Sequence, residues 1–149
     1  MRRERVWMLA GLLALCLCAC AGKAPFDPEE TTGALLAQPG VFSEELERLE
    51  DPVTLKLYGL EEDKVEALAG YGSTGATAEE AAVFRFVDEA SAQAAMEQVQ
   101  AHWEYMKESN VDYRPQEMPK LEKAVMERRG NTVLYLVAAD YEAAQKVLP

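Results

Sequence analysis

The chain has 149 residues with 15 basic and 26 acidic side chains, a length that suits one domain. The acidic excess leaves no basic footprint for nucleic-acid phosphates and gives no reason to lie flat on an anionic membrane surface. It points to solubility through net charge, or to a basic or cationic partner. Cys16, Cys18 and Cys20 all fall among the first 20 residues, so disulfide, thiolate and cysteine-metal chemistry is excluded from the remainder.

The first segment reads as an export leader. Met1 to Arg5 is a basic start, and Val6 to Leu17 is an apolar run of 12 residues. A bilayer span needs about 20 apolar residues, so this run suits a secretory leader. Leu17-Cys18-Ala19-Cys20 then has the form of a lipobox, with Leu17 at −3 and Ala19 at −1. Cys18 and Cys16 each have leucine at −1 and fail the pattern. An ordinary secretory signal ending near Ala19 or Ala21 is the competing reading. The expected organisation is a signal peptide over 1–19, a lipidated Cys20 with a short tether to residue 25, and a single domain over 26–149. Removing Arg2, Arg3, Arg5 and Glu4 leaves 12 basic and 25 acidic residues, a net charge of −13. Ala21 to Pro25, fully extended, reaches about 17 Å.

Asp27-Pro28-Glu29-Glu30 predicts a helix start: an N-cap, a proline at the first position and acidic residues at the positive helix end. That helix should stop at Pro39-Gly40. A second helical stretch is expected after Ser43, with Phe42, Leu46 and Leu49 as its apolar positions. Asp51-Pro52 breaks it and opens a segment from Val53 to Tyr58 that ends at Gly59. That segment alternates like a strand but starts like a helix, and the helix is favoured.

Lys64 to Gly72 reads as a strand, followed by a glycine-rich loop. Ala81 to Val87 reads as a second strand, with Ala82, Phe84 and Phe86 on one face and Val83, Arg85 and Val87 on the other. Asp88 should cap a long helix, Glu89 to Glu108, whose apolar stripe is Ala92, Ala95, Met96, Val99, Trp103 and Met106. A polar stretch from Ser109 to Pro119 turns the chain. Glu122 to Arg129 and Thr132 to Ala139 flank Gly130-Asn131, a type I′ or II′ hairpin signal. It pairs Val125 with Leu136 and Met126 with Tyr135. The second strand of that hairpin is apolar on both faces, which requires cover on both. Asp140 caps a terminal helix ending near Leu148. The expected fold class is α+β: a single small domain with a four-stranded, mainly antiparallel sheet. Two β-hairpins flank a long helix, with short helices at both termini.

Several stretches in this order resemble a known family. They are Leu57-Tyr58-Gly59-Leu60, Tyr71 to Phe84, the long helix, Tyr113-Arg114-Pro115-Gln116-Glu117, and Arg129 to Val133. Together they look like an uncharacterised bacterial lipoprotein family, domain-of-unknown-function family 4358, over roughly Phe26 to Leu148. The resemblance implies a lipoprotein with one α+β domain. It supplies no activity, catalytic residue or ligand.

The loop from Gly72 to Glu80 is the most unusual local feature. Two glycines and three hydroxyl residues could form an anion-binding nest. A phosphate loop would need a lysine and a following helix, and here a strand follows instead. Its two glutamates make neutral or cationic ligands the better fit, and a plain hairpin connection is the structural alternative. The candidate binding residues are Ser73, Thr74, Thr77 and Glu79, with Arg85 and Tyr113. His102, the one histidine, reads as a boundary residue on a helix flank. Glu44-Glu45 and Glu61-Glu62-Asp63 read as solvated faces. No metal site, cofactor or catalytic set is expected, since one histidine and no free cysteine make a poor ligand set. The leading functional expectation is a membrane-anchored extracytoplasmic lipoprotein. It would act as a small non-enzymatic binding or adaptor module for an envelope protein, held to the membrane through lipid on Cys20. A ligand-capturing lipoprotein serving a transporter is the alternative, and a hydrolase the least favoured.

Overall fold

A computed structural model describes residues 22–149; the expected leader and the lipidation at Cys20 lie outside them. Helix α1 spans Pro28–Ala37, with the Asp27 carboxylate accepting from the Glu30 N–H at 2.9 Å. Helix α2, Asp51–Tyr58, carries Pro52 in its first turn and ends at Gly59, whose φ of 65° is left-handed and favours glycine. Helix α3 is the longest, Glu89–Val111, and is capped by Asp88. Two short helices complete the set among the described residues, α4 over Met118–Glu122 and α5 over Tyr141–Gln145.

The strands are β1 (Glu47–Arg48), β2 (Val65–Gly72), β3 (Glu80–Phe86), β4 (Val125–Arg129) and β5 (Thr132–Val137). They form one antiparallel sheet in the order β1-β2-β3-β5-β4. The expected register of the second hairpin holds: Val125 faces Leu136 and Met126 faces Tyr135. Gly130 carries φ +57° and no non-glycine residue among the described residues has positive φ, the φ signs of a type II′ turn.

Three expectations need correction. The sheet has five strands, not four. The extra one comes from 43–49, which is extended rather than helical: Glu47 and Arg48 pair with Gly72 and Tyr71, and the Leu49 N–H donates to Gly70. Tertiary pairing overrode a weak capping pattern because Ser43 points its N–H and hydroxyl at Glu79 instead of at its own helix. The polar stretch from Ser109 to Pro119 is also more ordered than a turn. Helix α3 runs on to Val111, and a 3₁₀ turn at Pro115–Glu117 leads into α4. Residues 118–122 are therefore helical, and β4 starts at Val125.

The sheet is covered on both faces, as the two-sided apolarity of β5 demands. On one face Phe84, Phe86, Val133 and Tyr135 pack with Tyr58, Ala92, Ala95, Val99 and Leu121 from α2, α3 and α4. On the other, Val83, Leu134 and Leu136 pack with Phe26, Leu35, Val41, Ala143 and Ala144. Each large side chain buried this way contributes about 2 kcal/mol.

Antiparallel pairing gives the sheet two distinct ends. At one, the β2–β3 loop sits beside Glu80 and Val137, which are partners. At the other, the β4–β5 turn sits beside Phe86, whose N–H donates to the Asn131 carbonyl at 2.8 Å.

Candidate functional site

The loop end gathers an unusual number of buried polar groups. Residues of β3 alternate faces, so Glu79 and Glu80 enter opposite sides of the sheet. Glu80 continues the parity of Ala82, Phe84 and Phe86 and lands under α3. Its carboxylate accepts from the Tyr58 hydroxyl at 2.9 Å and lies 3.0 and 3.1 Å from His102 Nε2. With two carboxylate oxygens facing it, Nε2 is the donor. His102 is 5% exposed, so it is not the boundary residue its neighbour Trp103 suggested. Its spacing from Ala92, Ala95, Val99 and Met106 is the 3-4-3-4 pattern of a buried stripe. Trp103 sits one step aside, half-buried, with its indole N–H donating to the Leu121 carbonyl at 2.7 Å.

Glu79, 1% exposed, enters the other side. It accepts from the Ser43 N–H (2.9 Å), the Ser43 hydroxyl (2.6 Å) and Lys120 Nζ (2.9 Å). Lys120 also donates to Glu117. Burial pulls the Lys120 ammonium down, but its hydrogen bonds to Glu79 and Glu117 outweigh this, and its pKa stands above the ordinary value. Glu117, itself buried, accepts from the Ala78 N–H at 2.9 Å.

The loop is pinned from outside as well. The Ser73 and Thr77 hydroxyls both donate to Glu44 and hold its carboxyl below the ordinary 4.5. Glu44 is thus a clamp rather than part of a solvated face, whereas Glu45 is exposed as expected. Arg114 donates to the carbonyls of Gly75 (2.7 Å) and Thr77 (2.9 Å), and is itself oriented by the buried Asn110. Tyr58 and Tyr135 are buried beside Glu80. Desolvation first, and that carboxylate second, push both phenols upward.

A cleft of about 210 Å³ opens here. Leu49, Leu57 and Met106 form apolar walls, and Ser73, Thr77, Glu79, Glu80, His102 and Arg114 supply polar groups. Three of the six expected binding residues, Ser73, Thr77 and Glu79, meet at this cleft. Thr74 is exposed on the loop and does not line it. Tyr113 is 81% exposed beside Arg114. Arg85 lies toward the opposite end of β3, 3.7 Å from Asp27 and 3.4 Å from Glu66. Residues missed from sequence were Glu44, Tyr58, Glu80, His102, Arg114, Glu117 and Lys120. Two of them carried a signal: strand parity put Glu80, and helix periodicity put His102, on core faces where a polar group needs a partner.

Among the described residues no group of three or more His, Cys, Asp or Glu is arranged to hold a metal ion. No described helix is long and apolar enough to cross a membrane.

The architecture defines a class: a small α+β domain with a five-stranded antiparallel sheet, a long helix and several short ones. The chain belongs to the family described as Domain of unknown function (DUF4358), matched over residues 42–138. That span contains the whole sheet, α2 to α4 and every group of the cleft. No curated protein and no solved structure matches the chain.

Proposed function

We propose that the protein is a membrane-anchored extracytoplasmic lipoprotein. It acts as a small non-enzymatic binding module, and recognition takes place at the loop-end cleft. The lipobox from Leu17 to Cys20 supports the anchoring. One observation carries binding over turnover: the buried ionisable groups of the cleft are already engaged with one another. Glu79 is held by Ser43 and Lys120, Glu80 by Tyr58 and His102, and Glu117 by Lys120 and the Ala78 N–H. The Ser73 hydroxyl donates to Glu44, not to a histidine base. A general base must reach the proton that it abstracts, and carboxylates already engaged by fixed donors suit pre-organised recognition instead.

Size and charge narrow the occupant. Drug-sized ligands fill pockets of about 300–1,000 Å³, and this cleft is smaller at about 210 Å³. It suits one inserted side chain of a protein partner better than a free metabolite. Two carboxylates, Glu79 and Glu80, are among the residues lining the cleft, and Glu44 and Glu117 hold its loop from outside beside Lys120 and Arg114. The walls are apolar, so a lysine or arginine fits, its stem against Leu57 and Met106 and its head at the rim.

Capture from native membranes with the intact protein tests the reading, run beside Leu57→Arg, which places a cation in the cleft from a half-exposed wall position. A partner held by the wild type and lost from the variant supports it. Equal capture by both, or hydrolase turnover abolished by His102→Ala, overturns it. Intact mass of membrane-extracted protein checks the anchor: a species beginning at unmodified Ala21 removes it.

A further inference from the structure

The domain's point of attachment and its cleft lie at opposite ends of the sheet. Pro25 Cγ sits 3.5 Å from where a Cβ on Gly130 would stand. The Phe26 N–H donates to Thr132 Oγ1 at 2.9 Å. Arg129 stacks over the Phe26 ring at 4.1 Å and reaches the carbonyl of Pro149. The chain therefore leaves the folded domain at the β4–β5 turn.

Two rulers measure the distance from there to Glu80, at the base of the loop. From Phe86 back to Glu80 along β3 is about 20 Å at ~3.4 Å per residue. Helix α3 begins beside the same turn, with Glu89 Oε1 3.8 Å from the Gly130 position. From Glu89 to His102, which meets Glu80, is again about 20 Å at ~1.5 Å per residue. Strand and helix agree, so α3 runs along the sheet's long direction. Its full 23 residues cover about 34 Å and end where Arg114 holds the loop.

We propose that the β4–β5 turn is the membrane-facing surface of the domain, and that the loop-end cleft is held away from the anchoring bilayer. This rests on Cys20 being lipidated. The five steps from Cys20 to Pro25 reach at most about 17 Å. Turning the loop onto the lipid would lift the attachment point about 34 Å, twice what the tether spans. Lying sideways would press a long face of a strongly acidic domain onto anionic headgroups. Upright, the cleft opens to the aqueous side, so its partner arrives from there and not from lipid of the same leaflet.

The test uses the lipidated protein in anionic vesicles carrying a headgroup quencher. Lipid occupies the mature chain's only thiol, so Arg128→Cys near the turn and Thr74→Cys on the loop each take a single fluorophore. Several-fold stronger quenching at 128 than at 74 is expected. A Gly/Ser insertion of about ten residues between Ala21 and Gly22 should shrink that difference. Equal or reversed quenching, or a difference the insertion leaves intact, overturns the orientation. Mass analysis of the same sample keeps the two readings apart. Without acyl mass on Cys20 the anchor itself falls; with acyl mass and reversed quenching, only the orientation does.

Discussion

At the hairpin end, Phe26 shares one buried apolar core with Leu35, Val83 and Leu134, beside the buried Thr132, and the buried Arg129 lies across its ring. At the loop end, the buried groups are Glu79, Glu80, His102 and Glu117, and charge and hydrogen bonding hold them. The two ends therefore respond to change differently. Apolar burial is non-directional, so the hairpin end should tolerate another hydrophobe of similar size. A buried polar network adds little net stability when complete, yet costs much when one partner is removed. What it supplies is fixed geometry for the side chains around the cleft.

The largest effect should come from emptying the hairpin end. Phe26→Ala removes a fully buried ring and should cost about 4 kcal/mol, read from the urea midpoint at unchanged slope. Phe26→Leu should recover most of that, losing about 1.5 kcal/mol or less. If the leucine variant is as unstable as the alanine one, the packing account of this end is wrong.

Half-breaking the loop end comes next. His102→Ala leaves Glu80 buried with only the Tyr58 hydroxyl and should cost about 3 kcal/mol. Replacing the whole set by apolar groups, Tyr58→Phe with Glu80→Leu and His102→Leu, should regain most of that loss, because no buried charge is left unpaired. A triple variant as weak as His102→Ala would put both ends under the same packing physics and abolish the contrast.

Much of the hairpin end was legible from the sequence. Gly130-Asn131 between two β-like runs set the turn and its register, and Asp27-Pro28 set the start of α1; these signals act within a few residues. The loop end was less legible because its partners come from five separate stretches: Ser43 and Glu44, Tyr58, Glu79 and Glu80, His102, and Glu117 with Lys120. Local pattern does not encode such pairings. Ser43-Glu44-Glu45 resembled a helix start, and nothing near it announces Glu79, 36 residues on. Yet Glu80 and His102 lay on faces that strand and helix periods already marked as core. A charged residue on a core face was the available clue that a partner existed.

Removing the loop's outer clasp should have a more local effect. Arg114→Ala deprives the Gly75 and Thr77 carbonyls of a charged donor, worth about 1.5 kcal/mol. Amide exchange over residues 73–79 should quicken about ten-fold. Exchange at the β4–β5 turn should not change, since that end shares no bond with Arg114. Parallel acceleration at both ends would mean that they open as one unit.

The smallest effect is a pH dependence confined to the loop end, and its sign follows from two groups. Glu44's carboxyl is lowered from 4.5 by the Ser73 and Thr77 hydroxyls. Its contribution is present above 4.5 and is lost as pH falls through the lower folded value. Lys120's pKa is raised above 10.5 despite its partial burial, through Glu79 and Glu117. Its contribution is present below 10.5 and is lost only as pH rises through the higher folded value. Between these limits neither group titrates, so neither gives loop protection a slope from about pH 5 to 10. Below 4.5 the wild type should lose loop protection toward the level of Glu44→Gln, which lacks the charge at every pH. Exchange over 73–79, compared between these two proteins across acid pH, reads this directly. The gap should be constant above 4.5 and narrow below it. A gap that persists undiminished at pH 2 would mean that the hydroxyls of Ser73 and Thr77 hold Glu44 by shape and not by its charge.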